Sequence, residues 1–339
     1  MRIALINILN LGDNLVFLPV AQGIRELLPN AEILVLTSEV AIDLYDSAKF
    51  RAIVLRTARE RHVPFWRRPA SALKFLNTLS AFRPDAVLIS HAQPNIAHIA
   101  ASYSKAPLRI GGHYESLLPF PCLTHSLPLV ENESMAVQNW KLFQSFCSAT
   151  GHSPPSLVPP KPDMSHLVDP SAQIDGHIVL HPGASQLYQR WPFDRYVELA
   201  KALAAHGNVY LILDSASTLP ASDISNLHFV AARDLKTLTG LLRGAKIFVG
   251  NNSGPMHVAA ALGIPSVIIT GPSHRIWDPF WRTPNSVILE DKTLPCIRCE
   301  RSIRPLNRCT NIEEPIACMK HWTSAEVLGI CNSILKASS

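Results

Sequence analysis

Residues 249–263 read VGNNSGPMHVAAALG, and this stretch indicates the fold of the half of the chain in which it lies. A strand ends, a turn of small residues follows, and a helix begins at Pro255, since proline is favoured in the first turn of helices. Free backbone N–H groups and the helix dipole make such a turn suited to bind an anion. Ser253 and Gly254 allow a diphosphate to approach the backbone, and His257 lies one turn into the helix. The alternative is an ordinary capped helix with a buried histidine.

A second turn of the same kind occurs at residues 181–196, HPGASQLYQRWPFDRY. A strand that ends near His181 runs into a glycine turn, and a Trp-Pro pair opens the next helix. His181, Gln189 and Arg190 are candidate contacts for the phosphates of a ligand. Trp191 is expected to pack as an anchor at the helix start, whether or not a ligand binds here.

Short apolar runs alternate with helical patterns along the whole chain, as is typical of parallel sheets. The runs are RIALINI, EILVLTS, RAIVLRT and DAVLIS in the first half, and HIVLHPG, NVYLILD, AKIFVGNNSG and PSVIITGPS in the second. This alternation predicts an α/β protein with two Rossmann-like domains that face each other across a cleft. The predicted boundaries are 1–155 for the first domain, 156–175 for a proline-rich linker, 176–320 for the second domain, and 321–339 for a C-terminal helix that packs back on the first domain.

The loop NLGDN, residues 10–14, follows the first predicted strand. Ligands of open α/β sheets bind at the carboxyl ends of strands, so this loop is expected to face a ligand. Asp13 is a candidate general base that accepts a proton from a hydroxyl group. The alternative is that Asp13 caps the first helix by accepting hydrogen bonds from free amides, and local sequence favours the cap.

Four cysteines, Cys296, Cys299, Cys309 and Cys318, cluster in PCIRCERSIRPLNRCTNIEEPIACMK, residues 295–320. A CxxC pair followed by two further cysteines has the count of a four-thiolate metal site, for which iron and zinc are both suited. The alternative is a set of reduced cysteines, since the spacing is irregular.

A basic and aromatic stretch, RTARERHVPFWRRP, occupies residues 56–69. Arginine binds phosphate and carboxylate groups through its planar guanidinium. The interpretation is a surface that holds an anionic acceptor near a membrane, and a solvated loop is the alternative. The candidate acceptor-binding residues are Arg59, Arg61, Arg67 and Arg68.

The composition favours a globular enzyme, with 47% hydrophobic and 17% charged residues, against about 25% charged in average domains. The formal net charge of +5 favours anionic ligands but is too small and too scattered to indicate nucleic acid. Neither a signal peptide nor a membrane span is recognisable, so a cytoplasmic location is expected, with peripheral contact to the inner membrane.

Taken together, these motifs resemble glycosyltransferase family 9, the bacterial ADP-heptose:lipopolysaccharide heptosyltransferases. The resemblance rests on LGDNL, HPGAS with RWP, GNNSGPMHVAAALGIP, the following GPS, and a cysteine-bearing tail that ends in CM. It implies a GT-B fold and an inverting transfer that requires no cofactor. It also implies that Asp13 is the general base and that Ser253, Gly254 and His257 hold the donor diphosphate. The cysteine tail resembles the metal-bearing segment of autotransporter heptosyltransferases, which assemble as rings, so a structural metal and a homo-oligomer are among the expectations.

Two positions depart from the family pattern: Gln189 stands where a lysine is usual, and Asn252 where an aspartate is frequent. The predicted function is transfer of a heptose or hexose from a nucleoside diphosphate sugar, with ADP-heptose favoured, to a glycan, glycolipid or protein acceptor. The diphosphate is expected to rest against the Asn252–His257 turn, with Arg190 as a second contact. The alternatives are a sugar-nucleotide enzyme of the same fold, such as an epimerase, and a non-catalytic nucleotide- or glycan-binding scaffold.

Overall fold

The computed structural model describes residues 1–57, 67–112, 122–168, 175–213, 223–232, 234–301, 306 and 308–337. The chain divides into two compact units, Met1–Met164 and Ser165–Ser339. The division between the units lies within the proline-rich segment 156–175.

The first unit contains a six-stranded parallel sheet in the order β3-β2-β1-β4-β5-β6. Its strands are β1 (Arg2–Asn7), β2 (Glu32–Ser38), β3 (Arg51–Arg56), β4 (Ala86–Ile89), β5 (Leu108–Gly112) and β6 (His125–Leu127). The side chains of β4 are buried throughout, which explains why the parallel strands read as continuous apolar runs. The first four predicted strands are therefore confirmed.

Helices flank this sheet and bury its apolar faces. They are α1 (Leu11–Leu27), α2 (Pro69–Phe82), α3 (Asn95–Tyr103) and α4 (Met135–Ala149), with a short 3-10 helix at Glu39–Leu44. Helices α1 and α4 approach closely at Gly23, where an added Cβ would lie 2.7 Å from the ring of Phe143. A side chain at position 23 would therefore force the two helices apart.

The second unit repeats the architecture with a parallel sheet in the order β12-β11-β10-β7-β8-β9. Its strands are β7 (Ile178–His181), β8 (Val209–Leu213), β9 (Leu227–Ala231), β10 (Ile247–Asn251), β11 (Ser266–Ile269) and β12 (Val287–Leu289). Counted from the first strand of each unit, both sheets have the order 3-2-1-4-5-6 of the Rossmann fold. The predicted pair of Rossmann-like domains is confirmed.

The helices of the second unit are α5 (Phe193–Leu203), α6 (Leu235–Leu242), α7 (Gly254–Leu262), α8 (Ala317–Lys320) and α9 (Ser324–Ala337), with 3-10 helices at Ser165–Leu167, Leu187–Gln189, Ala204–His206 and Arg275–Trp277. In α9, Val327, Cys331 and Ile334 are buried in the apolar core of this same unit. The sequence-based expectation places the C-terminal helix on the first domain, whereas its apolar face completes the second core. No helix among the described residues has the length and apolar composition needed to cross a bilayer.

Candidate functional site

In an open α/β sheet with this strand order, ligands bind at the carboxyl ends of the two neighbouring strands whose following connections run in opposite directions. In the first unit, this place is the carboxyl ends of neighbouring strands β1 and β4. In the second unit, it is the carboxyl ends of neighbouring strands β7 and β10. These strands lead into the HPGAS turn, residues 181–190, and the NNSGP turn, residues 251–255. The topology thus brings together two turns that lie about 70 residues apart in the sequence.

Asn251, the last residue of β10, joins these two turns. It is fully buried, and its Oδ1 accepts hydrogen bonds from the backbone N–H of Trp191 at 2.9 Å and from the Tyr196 hydroxyl at 3.2 Å. Its Nδ2 donates to the carbonyls of Pro182 at 2.7 Å and Gly183 at 3.3 Å. Sequence reasoning missed this residue, although two consecutive asparagines at a strand end are an unusual pattern.

The NNSGP turn leads directly into α7, with Ser253 at the N-cap and Pro255 in the first turn. Within the described part of the chain, the Ser253 side chain caps none of the first amides of the helix; its hydroxyl donates instead to the Asn251 carbonyl at 3.3 Å. The N-terminal amides of the helix are therefore not satisfied by a side-chain cap. Such an N-terminus attracts an anion through its N–H groups and its dipole.

His257 lies in the first turn of α7 and is 4% exposed. Its Nδ1 is buried and makes no hydrogen bond to any described residue. Burial lowers the pKa of His257 to about 4, because the charged imidazolium loses its hydration. At neutral pH this side chain is therefore an uncharged imidazole beside the helix N-terminus.

In the HPGAS turn, His181 ends β7 and is half-buried. The guanidinium of Arg190 donates from Nε and Nη2 to the Ala184 carbonyl at 3.1 and 2.8 Å, and so holds the turn closed. Trp191 is 1% exposed and donates from Nε1 to the Trp322 carbonyl, as a packing anchor should.

The side chain of Gln189 is buried and makes its hydrogen bonds within the protein. Its Nε2 donates to Oε1 of Glu300 at 2.9 Å, and its Oε1 accepts from the Ser185 hydroxyl and the Gln186 N–H. The Tyr188 hydroxyl donates to the same Glu300 oxygen at 2.7 Å. Burial raises the pKa of Glu300, and these hydrogen bonds oppose that rise.

Asn252 is likewise buried and donates from Nδ2 to Oδ1 of Asp278 at 3.0 Å. Asp278 forms an ion pair with Arg298 at 2.8 Å, and the Nε of Arg298 donates to Glu290 at 2.7 Å. Burial raises the pKa of Asp278, while the Arg298 charge lowers it. Gln189 and Asn252, the two positions that depart from the family pattern, are therefore buried amides that each donate to a carboxylate. Glu300 is buried, and Asp278 is half-buried.

The structure places Cys296, Cys299 and Cys309 at half-buried positions and Cys318 at a buried one. Burial, reinforced by the charges of the other three thiols, raises the pKa of Cys318 to about 12, so all four lie in one region. In the described ranges, which include all four, no three His, Cys, Asp or Glu side chains are arranged to hold a metal ion. The backbone N–H of Ile316 donates to the Sγ of Cys309. As placed, these side chains do not fit an iron or zinc ligand set.

In the first unit, Asp13 is half-buried in the first turn of α1. Its Oδ2 accepts a hydrogen bond from the backbone N–H of Asn10 at 3.1 Å and completes a capping box with that residue. The capping interaction expected from the sequence is thus present. Asn7, at the end of β1, donates to the Asp13 carbonyl and accepts from Gln93, which ties the loop to the end of β4.

Of the four arginines predicted to bind an acceptor, Arg59 and Arg61 lie outside the described residues. Arg67 is exposed, whereas Arg68 is only 8% exposed. Arg68 precedes the first residue of α2, and its backbone carbonyl accepts from the Ala72 N–H. The expectation of an exposed basic surface is wrong for Arg68, because the start of α2 carries its side chain into the interior.

A family model described as glycosyltransferase family 9 (heptosyltransferase) matches residues 73–306, well over half of the chain. The chain belongs to glycosyltransferase family 9. The resemblance predicted from the sequence motifs is confirmed.

Among curated members of glycosyltransferase family 9, lipopolysaccharide heptosyltransferase 2 of Escherichia coli is 34% identical over 102 residues, which is 27% of this chain and 29% of that protein. The aligned region therefore spans less than a third of the curated relative. The structure of E. coli ADP-heptose lipopolysaccharide heptosyltransferase II is similar over 99% of both chains, with a TM-score of 0.72 at 20% identity. The iron-containing dodecameric glycosyltransferase TibC of enterotoxigenic E. coli covers all of this chain, and the match spans 77% of TibC, with a TM-score of 0.59 at 16% identity. The predicted GT-B fold is confirmed by these similarities.

Proposed function

We propose that this protein is an inverting glycosyltransferase that transfers a heptose from ADP-heptose to a hydroxyl group of a lipopolysaccharide core. Membership of glycosyltransferase family 9 supports the class of reaction. The names of similar proteins support the donor and the acceptor, since one is an ADP-heptose lipopolysaccharide heptosyltransferase and another a lipopolysaccharide heptosyltransferase.

The observation that carries this proposal is the NNSGP turn at the start of α7. The turn offers helix amides that the N-cap side chain of Ser253 leaves uncapped, together with a buried neutral imidazole one turn further on. A diphosphate leaving group develops negative charge as the bond to the sugar breaks, and oriented N–H groups stabilise that charge. In the proposal, the diphosphate binds against Asn252–His257, and Arg190 and His181 line the neighbouring turn.

Asp13 is the proposed general base. It takes the proton of the acceptor hydroxyl while the hydroxyl oxygen attacks the anomeric carbon and the nucleoside diphosphate leaves from the opposite face. Its capping role does not conflict with this assignment. An ionised carboxylate can take up a proton while one of its oxygens accepts the hydrogen bond from the Asn10 N–H.

The first test is calorimetric titration with ADP, UDP, GDP, CDP and dTDP. We expect ADP to bind most tightly, and Ser253→Trp to weaken that binding by about tenfold or more, because an indole would fill the space in front of the helix amides. Ser333→Trp, on an exposed position of α9, is the matched control and should bind ADP like the wild type. Preference for another nucleotide would exclude ADP-heptose as the donor; binding of none would favour a non-catalytic scaffold.

The proposed acceptor, location and assembly state rest on the sequence motifs and on the similar proteins. Transfer of heptose to truncated lipopolysaccharide, followed by mass spectrometry, tests the acceptor against a protein or another glycan. A cytoplasmic location with peripheral membrane contact and a homo-oligomer are further predictions. Light scattering with metal analysis would show whether this chain shares the dodecameric, iron-containing state named for TibC.

A further inference from the structure

The two candidate donor turns of the second unit are each held by one buried amide side chain that donates to a carboxylate. In the HPGAS turn, Gln189 donates to Glu300; in the NNSGP turn, Asn252 donates to Asp278. Gln189 and Asn252 are 9% and 8% exposed and Glu300 is buried, whereas Asp278 is half-buried. Both amides are therefore largely shielded from solvent. A buried amide that loses its acceptor costs about 1–3 kcal/mol, so each bond restrains its turn strongly.

Both carboxylates are connected to one short segment, Arg298–Glu300. Arg298 makes a two-point contact with Asp278, from Nη1 at 2.8 Å and Nη2 at 3.3 Å, and Glu300 itself accepts the bond from Gln189. The same guanidinium donates to Glu290 and to the Ser273 carbonyl. A single short segment therefore reaches both turns.

This segment is itself fixed to the turn that follows β11. The backbone N–H groups of Arg298 and Glu300 donate to the carbonyls of Gly271 at 2.8 Å and Pro272 at 2.9 Å. Arg298 has a φ of 59°, a left-handed conformation that a non-glycine residue adopts only when its surroundings impose it. An added Cβ at Gly271 would lie 2.5 Å from the Sγ of Cys318, so the cysteine region packs directly on this turn.

We propose that Arg298 and Glu300 are positioning residues that fix the two donor-binding turns and thereby set donor affinity without contacting the donor. The inference rests on the proposed function, because it assumes that the HPGAS and NNSGP turns bind the nucleotide. In this proposal, the side chains of Gln189 and Asn252 face the interior and support the site. The anion binds to the backbone N–H groups that those side chains orient.

The test exchanges the amide and the carboxylate of one hydrogen-bonded pair, Gln189 and Glu300. Gln189→Glu places two carboxylates about 3 Å apart, whereas the double variant Gln189→Glu/Glu300→Gln restores one donor and one acceptor. In the double variant, the amide introduced at position 300 would donate to the carboxylate introduced at position 189. Its second N–H would donate to the Tyr188 hydroxyl, whose own proton goes to the Leu306 carbonyl. Asn285→Asp, at an exposed position of the same unit, is the control for an added negative charge.

We expect Gln189→Glu to raise the Kd for ADP by about tenfold and the donor KM in parallel, with kcat at saturating donor within about threefold of the wild type. The double variant should return the Kd to within about threefold, and Asn285→Asp should leave it unchanged. Folding is checked from the melting temperature. A folded Gln189→Glu variant that binds ADP like the wild type, or a folded double variant without rescue, would overturn the inference alone. If the wild type binds no nucleotide, the proposed function fails, and the inference fails with it.

Discussion

The side-chain amide of Asn252 donates to the carboxylate of Asp278 at 3.0 Å, and Arg298 pairs with the same carboxylate. An aspartate at position 252 would place its carboxylate at hydrogen-bond distance from that of Asp278, in a site that is only partly exposed to solvent. The structure thus explains why this turn requires an amide: the negative charge next to it already comes from position 278.

We predict that Asn252→Asp weakens ADP binding at pH 8 and recovers part of the affinity as the pH falls toward 6. Two adjacent carboxylates cannot both ionise easily, so one pKa rises and the pair shares a proton at the lower pH. The other charged groups that act on Asp278 are Arg298, Glu290 and Arg282. Calorimetry across this pH range, with Asn285→Asp as control, measures the effect. A variant with the same pH dependence as the wild type would contradict it.

For Asp13, Asn is the informative replacement because it keeps an acceptor oxygen for the Asn10 N–H but cannot take up a proton. We predict that Asp13→Asn lowers kcat by about 10²–10⁴-fold, while the melting temperature and ADP binding stay near those of the wild type. Asp13→Ala should lower both kcat and stability, since it also removes the cap. Full turnover by the Asn variant would leave Asp13 with its capping role only.

Asn251 uses both donors and accepts two hydrogen bonds in the interior. Asn251→Asp would remove the two donors that hold Pro182 and Gly183. We expect a loss of about 2–5 kcal/mol in the stability of the second unit, together with weaker ADP binding. Thermal unfolding of this variant beside Asn285→Asp separates the burial effect from the added charge. An unchanged melting temperature would show that the junction between the two turns tolerates the loss.

Acid should destabilise the second unit through His257. In the folded protein its pKa is about 4, against about 6.5 when unfolded, so the unfolded state binds more protons between these values. The stabilising contribution is therefore present above pH 6.5 and is lost as the pH falls toward 4, by up to about 3 kcal/mol.

Replacing His257 by Gln removes the titration, so the unfolding transition of the second unit should become less sensitive to pH between 6.5 and 4. His91 of the first unit has its pKa lowered to about 4 by burial as well. The His91→Gln variant is the matched comparison for that unit. If His257→Gln leaves the pH dependence of the second transition unchanged, the histidine is exposed to solvent more often than its burial indicates.

The amino-acid sequence by itself determined the architecture and the family. The spacing and type of apolar residues predict a buried parallel strand from local sequence, as in AVLI at Ala86–Ile89. Glycine and proline mark where a strand ends and a helix begins, as at Gly254 and Pro255. The order of such units along the chain is enough to predict two Rossmann-like sheets and the turns at their carboxyl ends.

The direction in which side chains face was decided only by the tertiary structure. The partners of Gln189 and Asn252 are Glu300 and Asp278, which come close because separate loops meet above the sheet. The burial of Arg68 and the packing of α9 on the second core depend in the same way on which surfaces meet in space. Hydrogen bonding and burial are properties of such neighbourhoods, so a residue's identity predicts what it can bind, and the folded chain decides what it does bind.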